Sequence, residues 1–130
     1  NNYLKGFDIY DKIDQFVGEN KEYSFTYIGR ERGTFKNTKI IKPLHGEKLY
    51  QELKKYDVYI SASRFDPGPN HILESISCNL PTYVHKDGGG CTEFAGQENT
   101  FNNFKDLLEL LISKNFKKND DSTVLIFKQL

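Results

Sequence analysis

The 130-residue sequence carries no excess charge of either sign, because eighteen Lys and Arg residues are matched by eighteen Asp and Glu. A nucleic-acid partner would call for a basic surplus, so that class is set aside. No apolar run approaches the roughly 20 residues needed to cross a bilayer, and no signal-peptide pattern opens the chain, so the expectation is a soluble, cytoplasmic protein. Cysteine is scarce. Cys78 and Cys91 are too few for a secreted disulfide framework and stand in no zinc-ligand spacing, which reads as free thiols. There is no Asp-x-Asp and no His/Cys cluster, so neither a metal nor another cofactor is expected. Repeats, low-complexity tracts and an interdomain linker are absent, and the 37% hydrophobic content suffices for one domain with a real core. Methionine is missing even from position 1, which reads as a chain cut from something longer.

What is present is concentrated between Tyr59 and Gly96. Asp57 to Ser61 is a short Val/Tyr/Ile run bounded by polar residues, the pattern of a buried strand. Gly68-Pro69-Asn70 reads as a helix start, since proline loses no hydrogen bond in a first turn. Ile72, Leu73, Ile76 and Leu80 then fall on one side, with Asn70 and Glu74 on the polar side, and Asn79 and Pro81 stop the helix. Thr82 to Val84 is a second short strand, running into Asp87-Gly88-Gly89-Gly90. Strand, helix, strand and glycine loop outline a nucleotide-binding half-sheet, with ligands expected beyond the carboxyl ends of the strands.

These residues carry a resemblance. Asp66, seven residues and Glu74 resemble the acidic pair E-x7-E of the GT-B glycosyltransferases of the retaining "group 1" (family four) kind. Pro69-Asn70 with Leu73-Glu74 is similar to the variant PNxxLE, and Cys78-Asn79-Leu80-Pro81 resembles C-G-L-P. Gly88-Gly89 with Glu93-Phe94-Ala95-Gly96 resembles GG..EFAG. The match covers residues 5 to about 112. It implies an α/β, Rossmann-like, mainly parallel sheet with helices on both faces, the C-terminal half of a GT-B fold. Residues 1–130 would form one nucleotide-sugar-binding domain of a longer two-domain enzyme, whose N-terminal domain holds the acceptor. Lys5-Gly6 resembles the family's K-G, where the lysine approaches the diphosphate. An upstream arginine and the domain's first strand precede that lysine in the family, and both are expected to be missing here. The full-length protein leaves room for a peripheral membrane contact.

Taken in order, Lys5 to Phe16 shows an apolar stripe of helical period at Phe7, Ile9, Tyr10, Ile13, Phe16 and Val17, with Gly18 as its stop. Tyr23 to Ile28 and Thr38 to Ile41 read as strands, and Gly29 closes the first. Gly46 to Tyr56 reads as a helix with Leu49, Tyr50 and Leu53 inward. The preceding loop, Lys42 to His45, matches a family segment near the base, and His45 is given no catalytic role. Lys105 to Ser113 is an apolar helix through Leu107, Leu108, Leu110, Leu111 and Ile112. Ser122 to Leu130 reads as a last helix, capped by Asp121 or Ser122.

The chemistry follows from residue types. Departure of a nucleoside diphosphate requires stabilisation of negative charge on the leaving group. Backbone N–H groups at a helix start do this, which points to the amides around Asn70 and His71. The resemblance implies that Glu74 accepts hydrogen bonds from ribose hydroxyls and Asp66 meets the hydroxyls of the transferred sugar. Asp66 stands where the family has Glu, so its carboxylate reaches one methylene less far. Each residue also has a plain reading: Glu74 as a solvated helix charge, Asp66 as a turn residue, Gly88 to Gly90 as a flexible turn. A noncatalytic binding module and a sugar-nucleotide epimerase relative are the alternatives. The G-x-G-x-x-G of ordinary dinucleotide domains has no match.

Overall fold

The computed structural model describes residues 6–29, 35–62, 80–88, 96–113 and 123–128. The chain is a mixed α/β protein. Its elements are α1 (Phe7–Glu19), β1 (Tyr23–Ile28), β2 (Thr38–Ile41), α2 (Gly46–Leu53), β3 (Val58–Ser61), β4 (Thr82–His85), β5 (Thr100–Phe101), α3 (Phe104–Ser113) and β6 (Thr123–Lys128). A short 3-10 turn, Gln97–Asn99, leads into β5. The six strands form one sheet in the order β2-β1-β6-β3-β4-β5, and every neighbouring pair is parallel.

Side chains alternate along each strand, so the sheet buries both faces. Phe25 and Tyr27 of β1, Val58 and Ile60 of β3 and Tyr83 of β4 pack with Phe7, Ile9, Tyr10, Ile13 and Val17 of α1 and with Leu107 and Leu111 of α3. The intervening residues Ile28, Tyr59 and Val84 point to the opposite face, against Leu49 and Leu53 of α2, Tyr56 and Leu80. Helices therefore cover both faces of a wholly parallel sheet.

The helix expected over Lys105 to Ser113 is present as α3, and three local expectations, at Gly18, at the end of α2 and over residues 123–128, are corrected. Gly18 does not stop α1, which runs on to Glu19 and closes at Asn20, whose backbone and side-chain N–H groups both donate to the Phe16 carbonyl. Gly18 is small for another reason: a Cβ there would stand 2.4 Å from the Asn37 side chain. Helix α2 ends at Leu53, and Tyr56 is buried beyond it on its own. In α3 only Leu107 and Leu111 are buried, whereas Ile112 is 60% exposed, because one stripe of a helix this short meets the sheet. Residues 123–128 form a strand and not a helix: Thr123, Val124 and Ile126 are β-branched and Phe127 is aromatic, and the place the run takes, bonded on both sides, selects such residues.

A buried carboxylate fixes the approach to β2. Asp14 is 7% exposed on the core side of α1 and accepts the backbone N–H groups of Lys36 (3.1 Å) and Asn37 (2.8 Å) and the Thr38 hydroxyl. Asn37 Nδ2 returns a bond to the Asp14 carbonyl at 3.2 Å.

Candidate functional site

A parallel sheet gathers the carboxyl ends of its strands on one edge, and three chain segments meet there. Strand β3 ends at Ser61 and Ala62, both buried. Gly6 precedes α1 with φ +86, the left-handed region, and a Cβ on it would lie 2.5 Å from the Ala62 carbonyl oxygen. Only glycine lets the start of α1 come this close. The Tyr10 hydroxyl, one turn into α1, accepts the Ala62 N–H at 2.6 Å, so the helix is tied to the end of β3 by a hydrogen bond as well as by packing. Phe7 holds the same end of α1 through edge and stacked contacts with Tyr10, Tyr27 and Phe35 at 5.6, 5.7 and 6.0 Å.

The third segment is the exit from β4. The Gly88 N–H donates to the His85 carbonyl at 2.9 Å, closing a turn over residues 85–88, and the Lys86 N–H donates to the Phe101 carbonyl of β5 at 2.9 Å. His85 is 3% exposed. Its Nδ1 accepts the Asp87 N–H at 3.0 Å, which fixes the proton on Nε2, and Nε2 faces the Asn102 carbonyl at 2.9 Å. Along the same edge, past β6, Gly29 follows β1 with φ 149 and donates to the Ile41 carbonyl at 2.9 Å.

Of the residues singled out in the sequence, Gly88 lies in this turn. Lys5, Asp66, Pro69, Asn70, His71, Glu74 and Gly89 lie outside the described residues. Their anchoring points are described: Gly6 follows Lys5 directly, Ala62 is four positions before Asp66, and Leu80 enters the core beside α2 before β4 begins. Tyr10, Asp14 and His85 were not singled out. Tyr10 and Asp14 had a signal, since each puts a polar group into the apolar stripe of α1 and a buried polar group needs a partner. His85 had none beyond its place after Thr82 to Val84.

Ionisation is perturbed away from this edge. Burial raises the Tyr56 phenol to about 12, with a further push from its hydrogen bond to Glu52, against which a bond from Thr26 acts. Burial also pushes the Glu52 carboxyl up, but the bonds from Tyr56 (2.6 Å) and Lys55 (3.2 Å) and the charges of Lys55 and Lys39 outweigh it, so Glu52 ends below its ordinary value. Burial raises Tyr83.

Among the described residues, two hollows lie away from this edge. One of about 400 Å³ is lined by Thr100, Asp106, Glu109, Leu110 and Ser113, and one of about 260 Å³ between α1 and α3 by Lys12, Gln15, Phe16, Glu19 and Phe104. Among the described residues no three metal-ligating side chains come together, and no helix is long and apolar enough to cross a membrane. Comparison of the chain with protein-family models, curated proteins and solved structures finds no match, so the grounds for a functional reading are its own residues and the geometry of this edge.

Proposed function

We propose that the chain is the donor-binding domain of a glycosyltransferase that moves a glycosyl group from a nucleoside diphosphate sugar to an acceptor, with a Rossmann-like arrangement corresponding to the C-terminal half of a GT-B fold. The observation that best supports this reading is the closeness of Gly6 to Ala62. It brings Gly6, the residue that follows Lys5 in the chain, beside the end of the strand after which Asp66 comes, and these are the two stretches assigned to the diphosphate and the sugar. Ligands of parallel α/β sheets sit beyond the carboxyl ends of the strands, where this point lies.

In this reading Lys5 and the amides at Asn70 and His71 take the diphosphate, Glu74 takes the ribose hydroxyls, Asp66 takes hydroxyls of the transferred sugar, and Pro69, Gly88 and Gly89 shape the loops around them. The leaving diphosphate is stabilised by fixed donors in place before the bond breaks, which is where such enzymes gain most of their rate. No metal or other cofactor is assigned.

The test is titration of the chain with uridine and guanosine diphosphates and with the bare nucleosides. Lys5→Ala is expected to weaken the diphosphates and spare the nucleosides, whereas Glu74→Ala weakens both. No binding of any nucleoside diphosphate, or equal loss of a bare nucleoside in the two variants, would overturn the assignment.

A further inference from the structure

We infer that His85 is a positioning residue for donor binding: its neutral, Nε2-protonated ring locks the 85–88 turn that carries Gly88, and the grip of the sheet edge on a diphosphate depends on that lock. The inference rests on the donor-binding reading above.

The ring is enclosed and fully used. It is 3% exposed, and the ring of Phe101 meets it edge to face at 5.7 Å. Asp87 N–H to Nδ1 (3.0 Å) and Nε2 to the Asn102 carbonyl (2.9 Å) tie the loop after β4 to the loop after β5 through one side chain. A backbone N–H can only donate and a carbonyl can only accept, so this pair of partners admits one tautomer and only the neutral ring. A second proton on Nδ1 would face the Asp87 N–H and break that bond. The Asp87 carboxylate, whose Oδ2 lies 4.0 Å from Nδ1 and which is 46% exposed, is the group placed to take the new proton instead. Protonation thus exchanges the backbone of Asp87 for its side chain and pulls the residue before Gly88 out of its turn. The other charged groups on the segments around the ring, among the described residues, are Lys86 in the turn, Glu98 before β5, Lys105 at the start of α3 and Asp106, which accepts the Asn102 N–H at 3.2 Å. Asp106 therefore braces the residue that holds Nε2.

Two variants separate the two bonds. His85→Asn keeps an acceptor near the place of Nδ1 and cannot be protonated; His85→Gln keeps a donor near the place of Nε2. Without ligand, nitrogen NMR of the wild-type chain should show the Nε2–H tautomer, and the Asp87 and Gly88 amide signals should move with the same midpoint as the His85 ring. An Nδ1–H tautomer, or amides that ignore the ring's titration, would refute the lock whether or not any nucleotide binds. With uridine diphosphate as the probe, wild-type affinity should fall by about 3- to 10-fold more than that of His85→Asn as the pH is lowered through the midpoint that the ligand-free titration gives for the His85 ring, the equivalent of one net hydrogen bond. His85→Gln should be weakened on both sides of that midpoint. Parallel pH profiles for wild type and His85→Asn would overturn the positioning role. Absence of binding on either side of the midpoint would sink the donor-binding reading, and the ligand-free titration would still decide whether His85 holds the turn.

Discussion

Replacing Asp14 by alanine tests how the N-terminal helix is joined to the sheet. The carboxylate receives three donors from the segment entering β2: the Lys36 and Asn37 amides and the Thr38 hydroxyl. Hydrogen bonds to a charged group contribute about 1.5 to 3 kcal/mol each, and these are only partly shielded, so water replaces some of the loss. A total of about 3 to 5 kcal/mol is expected for Asp14→Ala, a large share of the about 5 to 15 kcal/mol that holds a domain together. At about 4 °C per kcal/mol for a chain of this size, the melting temperature should drop by about 12 to 20 °C. Asp14→Asn keeps one acceptor oxygen and should lose about half as much, while Thr38→Val, which removes one donor, should lose about 1 to 2 kcal/mol. The assay is thermal and urea unfolding of the three variants, with amide exchange at Asn37 as a local readout. A second signal comes from Asp11, whose carboxyl is raised by burial and then by the charges of Asp14 and Asp8. In Asp14→Ala it should titrate lower than in wild type. A loss below about 1 kcal/mol for Asp14→Ala would refute the reasoning, since it would mean that the three donors find water as good a partner.

Gly6→Ala combines a left-handed backbone, which costs about 1 to 2 kcal/mol with a Cβ, and a contact with the Ala62 carbonyl that cannot be accommodated. It should lower the melting temperature and weaken nucleoside diphosphate binding together, and an unchanged melt would refute the close approach. Tyr56→Phe should be less stable than wild type at neutral pH because the bond to Glu52 is gone. The Tyr56 phenol is raised from 10.0 to about 12, so the folded state favours its neutral form: that contribution is whole below pH 10 and is lost as pH rises towards 12. Glu52 is lowered from 4.5, so its contribution is whole above that value and is lost as pH falls through its folded value. Melting temperatures of wild type and Tyr56→Phe should therefore differ most between these limits and converge towards both, and a constant difference from pH 4 to 12 would count against the pair.

The elements that the sequence disclosed most fully are those whose local pattern and tertiary surroundings agree. Strands β1 and β2 fall where alternation in Tyr23 to Ile28 and Thr38 to Ile41 places them, and the buried face of α1 is its apolar stripe. Gly18 was misread because a glycine inside a helical pattern looks the same whether it ends the helix or admits a neighbour, and Asn37 is more than a turn away in sequence. Residues 123–128 were misread because a short apolar run has no period of its own, and only its two partner strands decide it. Of the candidate site, the strand ends and the Gly88 turn follow from the pattern at Asp57 to Ser61 and Thr82 to Gly88. The bond between Tyr10 and Ala62 spans 52 positions, and no local rule foretells such a pairing.

The place of β6 between β1 and β3 has a consequence for how the chain folds. Without it the described strands fall into two separate pieces, β2-β1 and β3-β4-β5, that are not paired with each other. Every β1–β6 pair, from Tyr23 with Thr123 to Ile28 with Lys128, joins residues roughly a hundred positions apart, so the contact order is high and the entropy of closing that loop must be met before the pairing returns anything. Folding should be slow for a protein of this length, and its rate should respond to changes in the β6 backbone more than to changes in α3. On the ribosome the facing edges of β1 and β3 stay open until residues 123–128 have emerged. At about 5 to 20 residues per second, that leaves seconds in which two unpaired strand edges are exposed to other chains.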